Sequence, residues 1–313
     1  MIEPNTGTEV LQESIKEPSE HDVREAYDHC LTITRAHYEN FPVASLLIPR
    51  GKRSHIGAIY AFARIADDMA DEGTLPADER LARLGEWQRK LDNCYEGIAD
   101  DRVFIALRRT VHEFRIPKDL FAALLTAFRQ DVVKRRYESF EELLEYCRNS
   151  ANPVGRLVLL IFGYHDDALF RYSDYICTAL QLTNFWQDID VDRKKNRIYV
   201  PIEDMERFDY SEEDLLARRG TDEFRRMMQL QIERSRALFR AGYPLTRVVG
   251  SDLRLELSVT WLGGSRILDK IERADYDVFT HRPELSVMDF IPIMMRAVTG
   301  RVPKGKRRAM YVS

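Results

Sequence analysis

A first stretch whose side chains could take part in a reaction, IYAFARIADDMADE, mixes carboxylates with apolar residues at helical spacing. At about 100° per residue, its polar side chains fall on or beside one helix face. These side chains are Tyr60, Arg64, Asp67, Asp68 and Asp71. The stretch therefore predicts a helix that presents carboxylates along an otherwise apolar surface.

A second stretch, LQLTNFWQDIDVD, repeats the pattern. One narrow stripe contains Gln181, Asn184, Asp188 and Asp192, whereas Asp190 projects to the opposite side of the predicted helix. We therefore expect Asp190 to be dispensable. The neighbouring rings of Phe185 and Trp186 are expected to form an apolar wall beside the stripe.

Carboxylates that are packed together repel one another and lose hydration, so a buried cluster without a cation is unfavourable. Magnesium resolves this conflict, because it is usually held by one or two carboxylates together with waters and substrate phosphates. Two acidic stripes thus predict a Mg²⁺-bridged diphosphate, with metal ligands drawn from Asp67, Asp68, Asp71, Asn184, Asp188 and Asp192. The alternative is that both stripes are solvated helix faces.

Cationic and hydroxyl donors occur within reach of the two stripes along the chain. A diphosphate needs such donors beside its metal ions, and we expect them to be Arg64, Lys195, Arg197 and Tyr199. Each residue taken singly would more often be an ordinary surface group.

Other chemistries find no support in the sequence. It contains no Glu-x-x-His of di-iron bundles, no His-Glu-x-x-His, no P-loop and no Gly-x-Gly-x-x-Gly. A nicotinamide cofactor is not expected. The net charge of −4 gives no general reason to expect a nucleic-acid partner.

The elements that must position these residues are helices, since helical periodicity dominates from His21 onward and strand-like alternation is scarce. The predicted helices cover 21–39, 52–72, 78–96, 100–115, 117–135, 139–163, 167–192, 211–217, 221–242, 252–274 and 286–299. Pro153 is expected to kink or break the helix 139–163. We predict one all-α catalytic domain at 21–300, between a disordered tail at 1–20 and a basic tail at 301–313.

Four scattered cysteines and the lack of any apolar run of membrane-spanning length indicate a soluble, reduced, cytoplasmic protein. The basic run from Lys304 to Arg308 is either a solvated end or a weak attraction to the inner face of an anionic membrane. The second reading predicts peripheral membrane contact.

Taken together, the motifs resemble those of the squalene/phytoene synthase family over roughly residues 25–280. The first stripe is similar to the family's first aspartate motif, and the second, continued by Arg197-Ile198-Tyr199-x-Pro201, to its second. The resemblance implies an isoprenoid-synthase helical bundle around a central apolar cavity. It also implies Mg²⁺-dependent ionisation of a prenyl diphosphate by Tyr60, Arg64, Asp67, Asp71, Asn184, Asp188 and Asp192.

Three departures from the family pattern argue against the condensation of two farnesyl diphosphates. Asn149 stands where such members have a tyrosine, and Gln187 stands where arginine is common. The segment from His37 to Ser45 contains Glu39 instead of a serine-rich phosphate-binding sequence.

Three motifs in these regions, Asn-Phe-Pro-Val, Asn-Pro-Val-Gly-Arg and Asn-Phe-Trp-Gln-Asp, resemble those of the bacterial hydroxysqualene synthase subgroup of hopanoid biosynthesis. That resemblance implies presqualene diphosphate as substrate, hand-over from a related synthase, and water as nucleophile, with no NAD(P)H. Asn149 and Asn152 are candidates to position the water, and Phe62, Phe185 and Gln181 are candidates to line the cavity. The alternatives are a condensing synthase that makes presqualene diphosphate, squalene or phytoene, and a non-catalytic helical subunit.

Overall fold

The computed structural model describes residues 18–36, 47–71 and 75–300, and within these ranges the regular elements are all helices. The helices are α1 Glu20–Ala36, α2 Arg50–Asp71, α3 Ala77–Tyr95, α4 Arg102–Phe114, α5 Lys118–Val133, α6 Phe140–Ser150, α7 Asn152–Ile161, α8 Asp167–Gln187, α9 Ile189–Lys194, α10 Ile202–Arg207, α11 Glu212–Leu216, α12 Asp222–Gly242, α13 Leu245–Val248, α14 Ser251–Arg273 and α15 Val287–Thr299. The predicted all-α fold is confirmed. Of the segment 37–45, and of nearly all of both predicted tails, nothing is described.

The predicted break near Pro153 is confirmed. Helix α6 ends at Ser150, and α7 begins at Asn152 with Pro153 in its first turn. Proline is tolerated there because the first amides of a helix have no intrahelical acceptor. The two short helices α10 and α13 were not predicted, because one turn or so of helix leaves little periodic signal.

The prediction of one continuous helix over 167–192 is wrong. Asp188 has φ −104° and ψ 14°, so α8 ends at Gln187 and α9 starts at Ile189. A projection at constant angle therefore does not hold through Asp188. The bend turns the last part of the second motif onto a separate short helix.

Helix α8 runs through the middle of the bundle and packs on α6, α7, α12 and α14. Trp186, fully buried at the end of α8, donates from Nε1 to Ser235 Oγ of α12 at 2.9 Å. At the other end of the contact between α8 and α12, Gly242 lies so close to α8 that a Cβ would be 2.8 Å from Tyr172 O. This tight packing holds the second motif at the end of a rigid helix.

Helix α2 packs on α1, α3, α4, α5 and α7. Phe62, proposed from the sequence as a cavity-lining residue, is fully buried among the rings of Trp87, Phe104 and Phe121. It fixes α2 within the bundle through ring packing. Among the described helices, none combines the length and the apolar character needed to cross a bilayer.

Candidate active site

The first motif, from Tyr60 to Asp71, occupies the carboxyl-terminal half of α2. Arg64 lies between two of its own aspartates, with Nη2 2.6 Å from Asp68 Oδ1 and Nη1 3.7 Å from Asp67 Oδ2. Burial, assisted by the charge of Asp71, raises the pKa of Asp67 to about 6. Burial also raises the pKa of the Tyr60 hydroxyl. The motif therefore holds a buried carboxylate, Asp67, whose charged form is disfavoured by burial and by the neighbouring Asp71.

Asp71, at the end of α2, is joined to the segment that follows α9. Both of its oxygens accept from the Arg197 guanidinium, one of them from Nη1 at 2.9 Å, and Lys195 Nζ lies 3.5 Å from Oδ2. Burial alone would raise the pKa of Asp71, but these cations outweigh it and lower the pKa. The first and second motifs therefore meet through charge-assisted bonds.

A tight turn brings Arg197 to this position. Asn196 has φ 58°, a left-handed conformation that asparagine tolerates better than most residues. The turn is closed by Arg197 N, which donates to Asp192 O at 2.9 Å. The chain is thereby reversed directly after α9, and the Arg197 side chain returns toward α2.

The carboxylates of the second motif have different surroundings. Asn184 is exposed on α8. Asp188, at the bend, accepts from Nε and Nη2 of Arg282, the latter at 3.2 Å. Burial, followed by the charge of Asp188, raises the pKa of Asp192 to about 7.

Asp190 is separated from this group by its ion pairs. It lies 2.7 Å from Arg193 Nη2, 2.8 Å from Lys194 Nζ and 3.1 Å from Arg218 Nε. These three cations already neutralise it, and they lower its pKa against the effect of burial. The position agrees with the expectation that Asp190 takes no part in the chemistry.

Sequence reasoning missed Asp131 on α5, which lies between the two motifs. Its backbone oxygen accepts from Arg197 Nη2 at 3.1 Å, and its Oδ2 accepts from Tyr146 OH at 2.9 Å. Burial raises the pKa of Asp131 to about 7. A signal existed: Asp131 continues the helical stripe of Leu124 and Phe128, so it is a carboxylate on an apolar face.

Arg282 was also missed, and it carried no comparable signal. It lies between α14 and α15, outside any helical period, and joins Asp188 to Glu284, whose Oε1 is 2.8 Å from its Nη1. Only the tertiary fold brings this arginine to the second motif.

Stacked aromatic rings line one side of the site. The ring centroids of Phe185 and Tyr199 are 3.7 Å apart, at an interplanar angle of 9°. Tyr137 also stacks on Tyr199, with the ring centroids 5.7 Å apart. A cavity of about 10 Å³ remains between Phe185, Asp192 and Arg197. That volume suits at most about one water molecule, so the rings exclude bulk solvent from this side.

The two asparagines proposed to position water have partners within the helices. Asn149 is half-buried and donates from Nδ2 to Glu145 O at 3.2 Å. Asn152 is buried, and its Oδ1 accepts from Thr178 Oγ1 at 2.8 Å. Gln181, also half-buried, lies on α8 one turn before Asn184. Nothing in these contacts assigns a water-positioning role.

Within the described ranges, no three carboxylate, histidine or cysteine side chains are close enough together to hold a metal ion. The donor chemistry nevertheless fits a hard divalent cation. Oxygen ligands are present, and burial, followed by the charge of a neighbouring aspartate, raises the pKa values of Asp67 and Asp192, so a cation beside them would stabilise their charged forms. The metal site of the two motifs stays a prediction.

The comparisons with known proteins agree with this fold. The squalene/phytoene synthase family model matches residues 34–289, and the chain belongs to that family. The 15-cis-phytoene synthase of Synechocystis sp. is 33% identical over 272 residues, which cover 83% of this chain and 80% of the relative. The chain is therefore an enzyme of the class that acts on prenyl diphosphates.

Two solved structures are similar to the whole bundle. The squalene synthase HpnC from Alicyclobacillus acidocaldarius is 42% identical with a TM-score of 0.79, over 83% of this chain and 97% of that chain. A dehydrosqualene synthase in complex with ligand has a TM-score of 0.80 over 90% of this chain and 98% of that chain. Its identity is 23%, so this second likeness concerns the fold alone.

Proposed function

We propose that the chain is a hydroxysqualene synthase, which converts presqualene diphosphate and water into hydroxysqualene and diphosphate. The feature that carries the proposal is Asn149 at the end of α6, at the position where the resemblance to the family implies a tyrosine in many condensing members. An amide cannot exchange a proton as a tyrosine hydroxyl can. The 42% identity to the squalene synthase HpnC supports a squalene-type member of the family.

In the proposed reaction, the bond between the substrate carbon and the diphosphate oxygen breaks, and the diphosphate leaves with the bonding electrons. The cyclopropylcarbinyl cation rearranges, a water oxygen bonds to it, and one proton is released to solvent. Carbon, oxygen and charge balance without any reductant, so no NAD(P)H is required.

The chain's cations would receive the diphosphate. Arg197 is already held by Asp71 and Asp131, so its donors enter the site in a fixed orientation. Arg64, Lys195 and Tyr199 would contribute further hydrogen bonds to the phosphate oxygens. Mg²⁺ held by Asp67, Asp71, Asn184, Asp188 and Asp192, with Asp68 beside them, would supply positive charge to the leaving diphosphate.

The aromatic rings would protect the cation. Phe185 and Tyr199 form a nearly parallel stack beside Asp192 and Arg197, where they exclude water and offer π faces to positive charge. Because the rings exclude water, the single water that captures the cation would have to be held by a polar group. We propose that the side-chain oxygen of Asn149, Oδ1, orients this water.

The test is purified protein with Mg²⁺ and presqualene diphosphate, without reductant, followed by product analysis. Hydroxysqualene as the main product supports the proposal, and an unchanged substrate overturns it. Asp188→Ala should abolish turnover. If the chain were instead a non-catalytic subunit, neither the wild type nor the variant would form product. Omission of Mg²⁺ from the wild-type assay tests the metal requirement separately.

A condensing synthase is the second candidate, because phytoene synthases are among the relatives. One from Synechococcus elongatus is 31% identical over 290 residues, 88% of this chain and 94% of the relative. Conversion of farnesyl diphosphate alone to presqualene diphosphate, or of a longer prenyl diphosphate to a phytoene-like product, would favour it. The variant Asn149→Tyr tests whether this position decides between the two reactions. Condensation of prenyl diphosphates by the variant, but not by the wild type, would show that it does.

The proposed substrate defines the partners. A related synthase that makes presqualene diphosphate would supply it, and the reaction would take place in the cytoplasm, at or near the inner face of the membrane. A coupled assay with both enzymes, compared with each alone, measures whether hand-over occurs.

A further inference from the structure

The outer face of α15 is apolar. Five large hydrophobic side chains on it have exposed fractions between 56% and 79%: Val287, Met288, Ile291, Met295 and Val298. At about 100° per residue these positions fall within a single arc of about 100°. The outer face of a surface helix is ordinarily polar, so α15 reverses the usual arrangement.

The opposite face of α15 fixes the helix to α14. Asp289 is buried, and its oxygens lie 2.8 Å from Arg266 Nε and 2.7 Å from Lys270 Nζ. The same carboxylate accepts from Ser286 N at 2.8 Å, which caps the helix, and Ile293 is buried beside it. The apolar arc therefore points away from the bundle because the other face is anchored.

A cleft of about 260 Å³ opens at the carboxyl end of α15, beside Val298. Three arginines line it, one each from α13, α14 and α15: Arg247 is adjacent to Gly300, Arg254 comes from the first turn of α14, and Arg296 is exposed. Of these, Arg247 donates to Gly300 O at 2.7 Å, and Arg254 donates from Nη2 to Val249 O at 2.8 Å. Guanidinium groups on several sides of a cleft suit a phosphate.

From Phe290 onward, the charged residues of the sequence have one sign. From Phe290 to the end of the chain there is no Asp or Glu, whereas residues 301–313 contain Arg301, Lys304, Lys306, Arg307 and Arg308. The whole chain carries a net charge of −4, so this positive charge is local. An anionic surface is the complement of an apolar face bordered by cations.

We propose that α15 docks in the interface of an anionic membrane, with its apolar arc among the acyl chains and a lipid phosphate in the arginine cleft. A helix with a large apolar face and flanking cations binds in the plane of a bilayer without crossing it. The family's prenyl diphosphate substrates carry long hydrocarbon chains, so docking would place the enzyme where they partition. The proposal does not depend on which prenyl diphosphate is used.

The first experiment measures sedimentation of the full-length protein with phosphatidylcholine vesicles and with vesicles that also contain phosphatidylglycerol. The wild type should bind the anionic vesicles at least about tenfold more tightly, and binding should weaken as salt is added. Met295→Glu should lose most of that binding. Val133→Glu is the control, because Val133 has a similar exposed fraction, 63% against 64% for Met295.

The second experiment does not depend on introducing charge. A polarity-sensitive fluorophore is attached to Met295→Cys or to Val133→Cys in a Cys177→Ser background, because Cys177 is partly exposed. Labelling should then be selective, since Cys30, Cys94 and Cys147 are buried and burial raises their thiol pKa values. Anionic vesicles should shift the emission of the Met295 label to the blue and leave the Val133 label unchanged.

The arginine cleft is tested by Arg296→Gln against Arg171→Gln, an exposed arginine on α8. Only the first should reduce affinity for phosphatidylglycerol vesicles, by roughly threefold to tenfold. An equal loss of vesicle affinity in both variants would show that the arginines act only through general electrostatic attraction, and it would overturn the proposed phosphate site. Wild-type protein that stays in solution with anionic vesicles, or a dimer that Met295→Glu dissociates, would overturn membrane docking.

Discussion

Arg197 and Asp71 form a two-pronged ion pair although 126 positions separate them in the sequence. The pair joins the end of α2 to the turn after α9, and Arg197 simultaneously donates to the backbone of Asp131. With the Lys195–Asp71 pair, it joins the two aspartate motifs directly. These bonds to Asp71 and to the backbone of Asp131 fix the orientation of the planar guanidinium, so Arg197 can act as a preoriented hydrogen-bond donor.

Arg197→Lys should reduce turnover of the prenyl diphosphate roughly 10- to 100-fold. Lysine keeps the charge but cannot bond both oxygens of Asp71 and also reach Asp131 O, and such charge-assisted bonds contribute about 1.5–3 kcal/mol each. The measurement is diphosphate release under saturating substrate. Turnover equal to that of the wild type would show that the bidentate pair has no role in catalysis.

Asp190→Asn provides the comparison within the second motif. Asp190 is paired with Arg193, Lys194 and Arg218, away from Asp71 and Arg197. We expect diphosphate release to remain within about twofold of the wild type, with at most about 1 kcal/mol of stability lost. A loss comparable to that of Asp188→Ala would contradict the division of the motif by face.

Arg282→Gln should strengthen Mg²⁺ binding by up to about fivefold, because Arg282 occupies Asp188 with its own positive charge and a partly exposed pair contributes about 1 kcal/mol or less. Titration calorimetry with Mg²⁺ alone measures the change without reference to turnover. Weaker binding in the variant would mean that Arg282 orients Asp188 for the metal and does not compete with it.

The sequence predicted the motifs, the helices that carry them and the break near Pro153, because these depend on local spacing. It failed at Asp188, where a continuous helical period masks a bend in the backbone. Arg282 could not be found in advance, since its position depends on how α14 and α15 pack. The outward orientation of the apolar face of α15 likewise depends on the anchor at Asp289, which periodicity cannot reveal.

Gly242→Ala should destabilise the protein by about 1–3 kcal/mol. A Cβ at Gly242 would lie 2.5 Å from Ile176 Cγ1 and 2.8 Å from Tyr172 O, and the backbone oxygen cannot rotate away. Gly85→Ala is the matched control on α3, where a Cβ would meet nothing within 4 Å, and we expect it to stabilise by up to about 1 kcal/mol. Urea unfolding of both variants measures the difference, and equal effects would contradict close packing of α8 on α12.

Glu256→Gln should change how stability depends on pH. Thr260 Oγ1 donates to Glu256 Oε1 at 3.2 Å, whereas Oε2 is buried without a hydrogen-bond partner among the described residues. Burial raises the pKa of Glu256 from 4.5 to about 7, although the Thr260 bond opposes the rise. The folded state thus keeps this proton up to about pH 7, while the unfolded chain releases it near pH 4.5.

Because the folded state binds more protons in that window, stability must fall as pH rises from about 4.5 to about 7 and then level off. The raised pKa of Glu256 corresponds to a loss of about 3 kcal/mol at pH 8. Glu256→Gln should therefore match the wild type near pH 4.5 and exceed it by up to that amount at pH 8, measured by urea unfolding. Glu96→Gln, at an exposed position, should leave the pH profile unchanged, and a Glu256→Gln profile parallel to that of the wild type would contradict burial of a protonated Glu256.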